Sequence, residues 1–195
     1  SFIYVDTGAM YRAMALYLLE QKAGEQEEIA SACHGADISI CYEKGEQHVI
    51  LNGKDVTPYL RTEEAGNMAS ICSANGEVRK HLLKLQRNLA KENNVVMDGR
   101  DIGTTILPEA EVKIFLTASP ETRARRRFLE LQQKGSEDEY EHILKDIIER
   151  DERDMNRTVS PLKQADDAVL VDSSELGIDE VVDRILSICK EKVNG

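Results

Sequence analysis

Val95-Val96-Met97-Asp98-Gly99-Arg100-Asp101-Ile102-Gly103-Thr104-Thr105 is the stretch whose reading decides the fold. Three apolar residues run into Asp98-Gly99, and an Arg-Asp pair follows before a second glycine. A short β-branched run bounded by glycine reads as a buried strand whose backbone turns sharply where it ends. In open parallel sheets, ligands bind just beyond the carboxyl ends of the strands. Two carboxylates and a guanidinium placed there can face a metal, a phosphate or a base. The competing reading is a charged turn between two strands, and the residues on either side have to choose between them.

Upstream, the spacing of Val78, Leu82, Leu85 and Leu89 predicts a helix over about 76–91. A helix before it is capped by Thr62, carries Glu63 and Glu64 in its first turn, and runs through Met68 and Ile71. Further back the period changes to two. Asp37-Ile38-Ser39-Ile40-Cys41-Tyr42 alternates, Lys44-Gly45 turns, and His48-Val49-Ile50-Leu51 reaches Asn52-Gly53, the strongest short hairpin signal. Lys54 to Thr57 adds a third short strand. Residues 25–35 read as a short acidic helix. A strand over Ser1–Val5 feeds Asp6-Thr7-Gly8 and a helix from about Ala9 to Lys22 that Gly24 closes.

Downstream, Val112–Thr117 is a second buried strand, and Ser119-Pro120-Glu121 opens a helix holding Arg123, Arg125, Arg126 and Arg127. Ser136 to Glu139 has the capping-box form and starts a helix through Ile143, Leu144, Ile147 and Ile148 that continues to Arg157. Val169–Asp172 is the last strand, and Val181, Val182, Ile185, Leu186 and Cys189 mark the closing helix. Strands alternating with helices predict an α/β fold, a parallel sheet with helices on both faces, interrupted by a small antiparallel β insert.

Composition narrows the function classes. At 195 residues the chain suits one domain with an insertion. A net charge of -11 argues against broad binding to nucleic acid or an anionic membrane surface. No apolar run approaches the ~20 residues that span a bilayer. Cys33, Cys41, Cys72 and Cys189 show no C-x-x-C spacing and read as reduced thiols of a cytoplasmic protein, without structural zinc.

Against this acidic background the arginines are gathered. Arg12 stands in the first turn of its helix, where the dipole favours an anion rather than a cation. Arg100 sits at the strand end, Arg123 and Arg127 lie four apart, and Arg150, Arg153 and Arg157 fall at i, i+3 and i+7, one helical face. A solvated helix laced by Glu/Asp–Arg pairs would account for the last set. The preference for arginine over lysine points instead to bidentate phosphate recognition, several copies of which phosphoryl transfer requires.

Asp6-Thr7-Gly8-Ala9-Met10-Tyr11-Arg12, Asp98-Gly99-Arg100-Asp101-Ile102-Gly103-Thr104, Glu149-Arg150-Asp151-Glu152-Arg153-Asp154-Met155-Asn156-Arg157 and Ala165-Asp166-Asp167-Ala168 together resemble the signatures of the bacterial cytidylate kinases. The resemblance covers essentially the whole chain. It implies the nucleoside monophosphate kinase fold, with an acceptor-binding insert at about 36–93 and a helical lid at about 123–161. It also implies transfer of the γ-phosphoryl group of ATP to CMP or dCMP with Mg2+, by a cytoplasmic monomer that binds neither nucleic acid nor membrane. By the same resemblance Arg12, Arg100 and Arg157 grip the acceptor phosphate, and Ser70, Arg79 and Asp101 read the cytosine. Arg150 and Asp154 reach the sugar, and Asp98 lies near the metal and its waters. Arg123, Arg127 and Arg153 close over the donor, and Asp98, Arg100, Arg153 and Arg157 form the catalytic set. Cytosine offers an exocyclic amine and ring acceptors that a carboxylate, a guanidinium and a hydroxyl can match, whereas uracil lacks the amine.

One departure stands out. No G-x-x-x-x-G-K-[ST] loop, the cradle for donor phosphates, occurs in these residues. The resemblance places that loop and its strand just ahead of Ser1 and in the middle of the parallel sheet, so the first strand of the fold is expected to be missing and both its neighbours to lack their hydrogen-bond partner. The expectation is an active parent kinase and a 195-residue chain that is catalytically dead or nearly so. Two alternatives stand beside this reading: a kinase for UMP or AMP, and a degenerate module that binds a nucleotide without catalysis.

Overall fold

A computed structural model describes residues 2–194. The chain forms two compact units, one of residues 2–102 with Arg157–Pro161, the other of Gly103–Asn156 with residues 162–194.

In the first unit, β1 (Phe2–Asp6) pairs in parallel with β5 (Asn94–Asp98), so that Val5 stands opposite Met97 and Asp6 opposite Asp98. The expected strand is thus displaced by one residue, and Ser1 lies outside the described residues. Helix α1 (Thr7–Glu20) begins directly at the strand end because the Asp6 carboxylate accepts from the Ala9 N–H at 3.0 Å. Its stop is set by Lys22, which adopts φ +57°, rather than by the expected Gly24, which has no left-handed conformation to supply. Met10, Met14 and Leu18 on α1 are fully buried and pack in one core with Ile29, Val49, Val78 and Leu82. After α2 (Gln26–Ala32), strands β2 (Ile38–Glu43), β3 (Glu46–Leu51) and β4 (Lys54–Asp55) form the expected antiparallel sheet. Its two loops, Lys44-Gly45 and Asn52-Gly53, hold positive φ at both positions, which matches the right-handed strand twist. Helices α3 (Glu63–Cys72) and α4 (Gly76–Glu92) follow, α3 capped by Thr62 as expected.

A single π-type turn (Ile102–Ile106) follows in the chain, and in the second unit β6 (Ile114–Thr117) pairs in parallel with β7 (Val169–Asp172). Helix α5 (Pro120–Gln133) opens on Ser119, whose hydroxyl accepts from the Thr122 N–H. Helix α6 (Tyr140–Asn156) starts later than the capping box predicts. The Ser136 hydroxyl closes a local turn by accepting from the Asp138 N–H, and the first helical bond instead reaches the Glu139 carbonyl. Helix α7 (Ile178–Asn194) buries Ile188, while Val182 and Leu186 of its expected apolar stripe are exposed.

The parallel pattern is therefore distributed over two strand pairs. No strand among the described residues bonds to both β5 and β6. No helix among them is long and apolar enough to cross a membrane.

Candidate active site

The Asp98-Gly99-Arg100-Asp101 turn is held at its root by Thr7, whose hydroxyl donates to the Asp98 carbonyl at 2.7 Å. A Cβ at Gly99 would collide with that hydroxyl and stand 2.9 Å from Ile102 Cδ1. Glycine is thus required here by a close approach and not by an unusual φ.

From this turn Asp101 points into the unit and is only 5% exposed. It forms an ion pair with Arg79 of α4, itself 7% exposed. Arg79 also donates to the Ser73 carbonyl at 3.2 Å, and its guanidinium lies 5.7 Å from the centre of the Tyr11 ring. A second guanidinium, that of Arg157, comes within 3.9 Å of Asp101, donates to Ser73 Oγ at 3.1 Å, and is fixed by the Ser160 carbonyl at 2.7 Å. Ser73 Oγ in turn donates to the Ser70 carbonyl. Elements far apart in sequence thus converge on one buried carboxylate flanked by two guanidinium groups.

Two hydroxyls of this cluster stand out. Ser70 Oγ and Tyr11 Oη are buried without a hydrogen-bond partner among the described residues. Leaving a buried polar group unpaired is costly, and such groups concentrate where a ligand completes them. Burial pushes the Tyr11 hydroxyl up to about 12. Arg12 is half-buried in the second turn of α1, not the first as expected, because the helix starts at Thr7 and not at Ala9; Arg100, in the turn after β5, is also half-buried.

At the strand ends, Asp6 and Asp98 face each other in register. Asp98 is accessible to solvent, yet the surrounding protein displaces enough water to hold its carboxyl above the usual range, and the charge of Asp6 adds to the effect. A cation there would relieve both carboxylates. Among the described residues no group of three or more His, Cys, Asp or Glu side chains could hold a metal unaided. A hard divalent ion binding there would depend on one or two carboxylates, waters and phosphate oxygens, which is the ordinary habit of Mg2+. The residues fit that mode.

Arg123, Arg127 and Arg153, the arginines expected in a lid, lie in the second unit. Arg123 makes a two-pronged ion pair with Asp151 of α6, with Nη1 to Oδ1 at 3.1 Å, and donates through Nε to the Ala118 carbonyl. Arg127 pairs with Glu130. Arg153 is exposed on α6, Arg150 is half-buried, and Asp154 is buried. The expected single face of Arg150, Arg153 and Arg157 does not form. Helix α6 ends at Asn156, so Arg157 leaves the helical path and belongs to the first unit.

Of the residues expected at the site, the structure brings Ser70, Arg79, Asp101 and Arg157 into one network, to which it adds Ser73 and Tyr11 that the sequence reading did not single out. The available signal for Ser73 was its place one helical turn after Ser70, and for Tyr11 its place beside Arg12.

The family model for cytidylate kinase matches residues 1–191. The cytidylate kinase of Carboxydothermus hydrogenoformans is 48% identical over 194 residues, covering 98% of this chain and 87% of that protein. The cytidylate kinase of Caldicellulosiruptor saccharolyticus is 48% identical over 96% of this chain and 84% of its own length. That of Bacillus subtilis is 45% identical over 98% of this chain and 87% of its own length. With a family match over nearly its full length and relatives at this identity, the chain belongs to the cytidylate kinase family.

Proposed function

We propose that the first unit carries the acceptor site of a kinase that moves the γ-phosphoryl group of ATP to CMP or dCMP. The observation that carries this reading is the buried Arg79–Asp101 pair beside the unpartnered Ser70 hydroxyl. In this reading Asp101 accepts from the exocyclic amine of cytosine, while Arg79 and Ser70 supply donors to the ring acceptors. Arg12, Arg100 and Arg157 bind the acceptor phosphate and, by drawing off its charge, orient the attacking oxygen. On α6, Arg150 and Asp154 are assigned to the sugar. Arg123, Arg127 and Arg153 are assigned to the donor and the transferring group. For Arg123 that role requires it to exchange its Asp151 partner for phosphate.

Asp98 would hold Mg2+ through water, with Asp6 facing it across the strand pair. When bound, the ion neutralises phosphate charge. The insert at about 36–93 is assigned to acceptor binding and the segment at about 123–161 to a helical lid, and the protein is taken as a cytoplasmic monomer. No Gly-x-x-x-x-Gly-Lys-[Ser/Thr] loop stands among the 195 residues, so binding rather than turnover is the test. Calorimetric titration of the chain with CMP, UMP and AMP is expected to show one site that prefers CMP. Equal affinity for UMP would remove the cytosine-reading roles of Ser70, Arg79 and Asp101. Failure to bind any of the three would favour a module with another task.

A further inference from the structure

The antiparallel insert touches β1 in an uncommon way. Within β1, Tyr4 and Asp6 alternate with Ile3 and Val5, so their main-chain groups share one edge of the strand. That edge is completed by side chains rather than by another strand. The Gln47 carboxamide is bonded at both ends to one residue: its Oε1 accepts from the Asp6 N–H at 2.9 Å and its Nε2 donates to the Asp6 carbonyl at 3.2 Å. The Tyr42 hydroxyl donates to the Tyr4 carbonyl at 2.9 Å. Tyr42 and Gln47 are direct cross-strand partners in the β2–β3 hairpin, so they project from the same face of it. One cross-strand pair thus satisfies two successive same-edge residues of β1, and the carboxamide stands in for the peptide group of a neighbouring strand.

What this docking fixes is the residue on which the site turns. Asp6 is the last residue of β1 and the cap of α1, and its carboxylate holds the Ala9 N–H. Tyr11 and Arg12 stand in the helical turn that follows the one it caps. We infer that Gln47 is a positioning residue of the acceptor site, clasping the Asp6 peptide so that α1 presents Arg12 to the acceptor phosphate. The inference rests on the acceptor-site reading above. Gln47 itself acts only through Asp6, so removing its amide weakens the phosphate end of the site and leaves the base-reading cluster of Arg79 and Asp101 untouched.

The test compares the full chain with Gln47→Met, which keeps size and removes both hydrogen bonds, and Gln47→Glu, which keeps only the acceptor for the Asp6 N–H. Two net hydrogen bonds behind an anion-binding turn correspond to a loss of about tenfold in CMP affinity for Gln47→Met, with a smaller loss for Gln47→Glu. The preference for CMP over UMP is expected to stay at the wild-type ratio in both, because the base end is unchanged. Amide hydrogen exchange without ligand supplies an independent readout: Asp6 and Ala9 exchange faster in Gln47→Met, while the α3 amides keep wild-type protection. Unchanged CMP affinity overturns the inference, as does a loss that erases the CMP preference, since that reports general loosening of the unit. Should the wild-type chain not bind CMP, the acceptor-site reading falls. The clasp is then judged by exchange alone, and wild-type protection of Ala9 in Gln47→Met overturns it.

Discussion

At the scale of single residues, the informative groups are the buried hydroxyls that the unliganded chain does not use. Ser70 Oγ is buried and has no partner among the described residues, so Ser70→Ala removes no hydrogen bond from the fold. Its stability by urea unfolding should stay within about 0.5 kcal/mol of wild type. Its affinity for CMP should fall about tenfold by calorimetry, the worth of one well-placed donor in a buried site. Tyr11 gives a pH-dependent counterpart. Its folded value of about 12 lies above the ordinary 10.0, so the folded state holds the proton more tightly than the unfolded chain. That contribution is complete below pH 10 and is lost as the pH rises toward 12. Across this window the urea midpoint should fall more steeply for the wild type than for Tyr11→Phe. Tyr4, also raised to about 12, is common to both and cancels. The family resemblance pointed to Ser70 but not to its unsatisfied state, because hydrogen-bond satisfaction is a property of packing and not of residue type.

At the scale of elements, turn and cap chemistry was legible because it is local. Asn52-Gly53, Thr62 and Ser119 each act within four residues and behave as their sequences demand. Two boundaries were not legible for the same physical reason. Ser136 bonds a nearer N–H than the capping box needs, and Arg157 leaves α6 to meet Ser73 and Ser160. Each is a competition between a local pattern and another hydrogen bond that the pattern does not contain. The Gly99 turn is the most exposed test of element packing. Thr7 Oγ1 is pinned by its own hydrogen bond, so it cannot yield to an added methyl. Gly99→Ala should cost about 1–3 kcal/mol in urea unfolding. A value near zero would show that the root of the turn is looser than its geometry.

At the scale of the molecule, the α/β alternation, the antiparallel insert and the parallel pairing were readable from periodicity. The division of the parallel strands into two pairs was legible through the family resemblance alone, which puts the strand expected to be missing in the middle of the sheet; periodicity does not encode strand neighbours. Arginines in an acidic chain had pointed to a candidate site, and the structure adds that Arg79 and Arg157 gather around a single buried carboxylate. Base recognition therefore rests most heavily on Asp101. The most direct measurement is the ratio of CMP to UMP affinity in the wild-type chain and in Asp101→Asn. Replacing the carboxylate leaves Arg79 underpaired and lowers affinity for both ligands, so the ratio isolates base reading from that shared loss. The wild type is expected to favour CMP on the order of a hundredfold, and Asp101→Asn, whose amide can donate to the uracil carbonyl, to lose most of that preference. An Asp101→Asn chain that binds both nucleotides with the wild-type ratio would contradict base reading by Asp101.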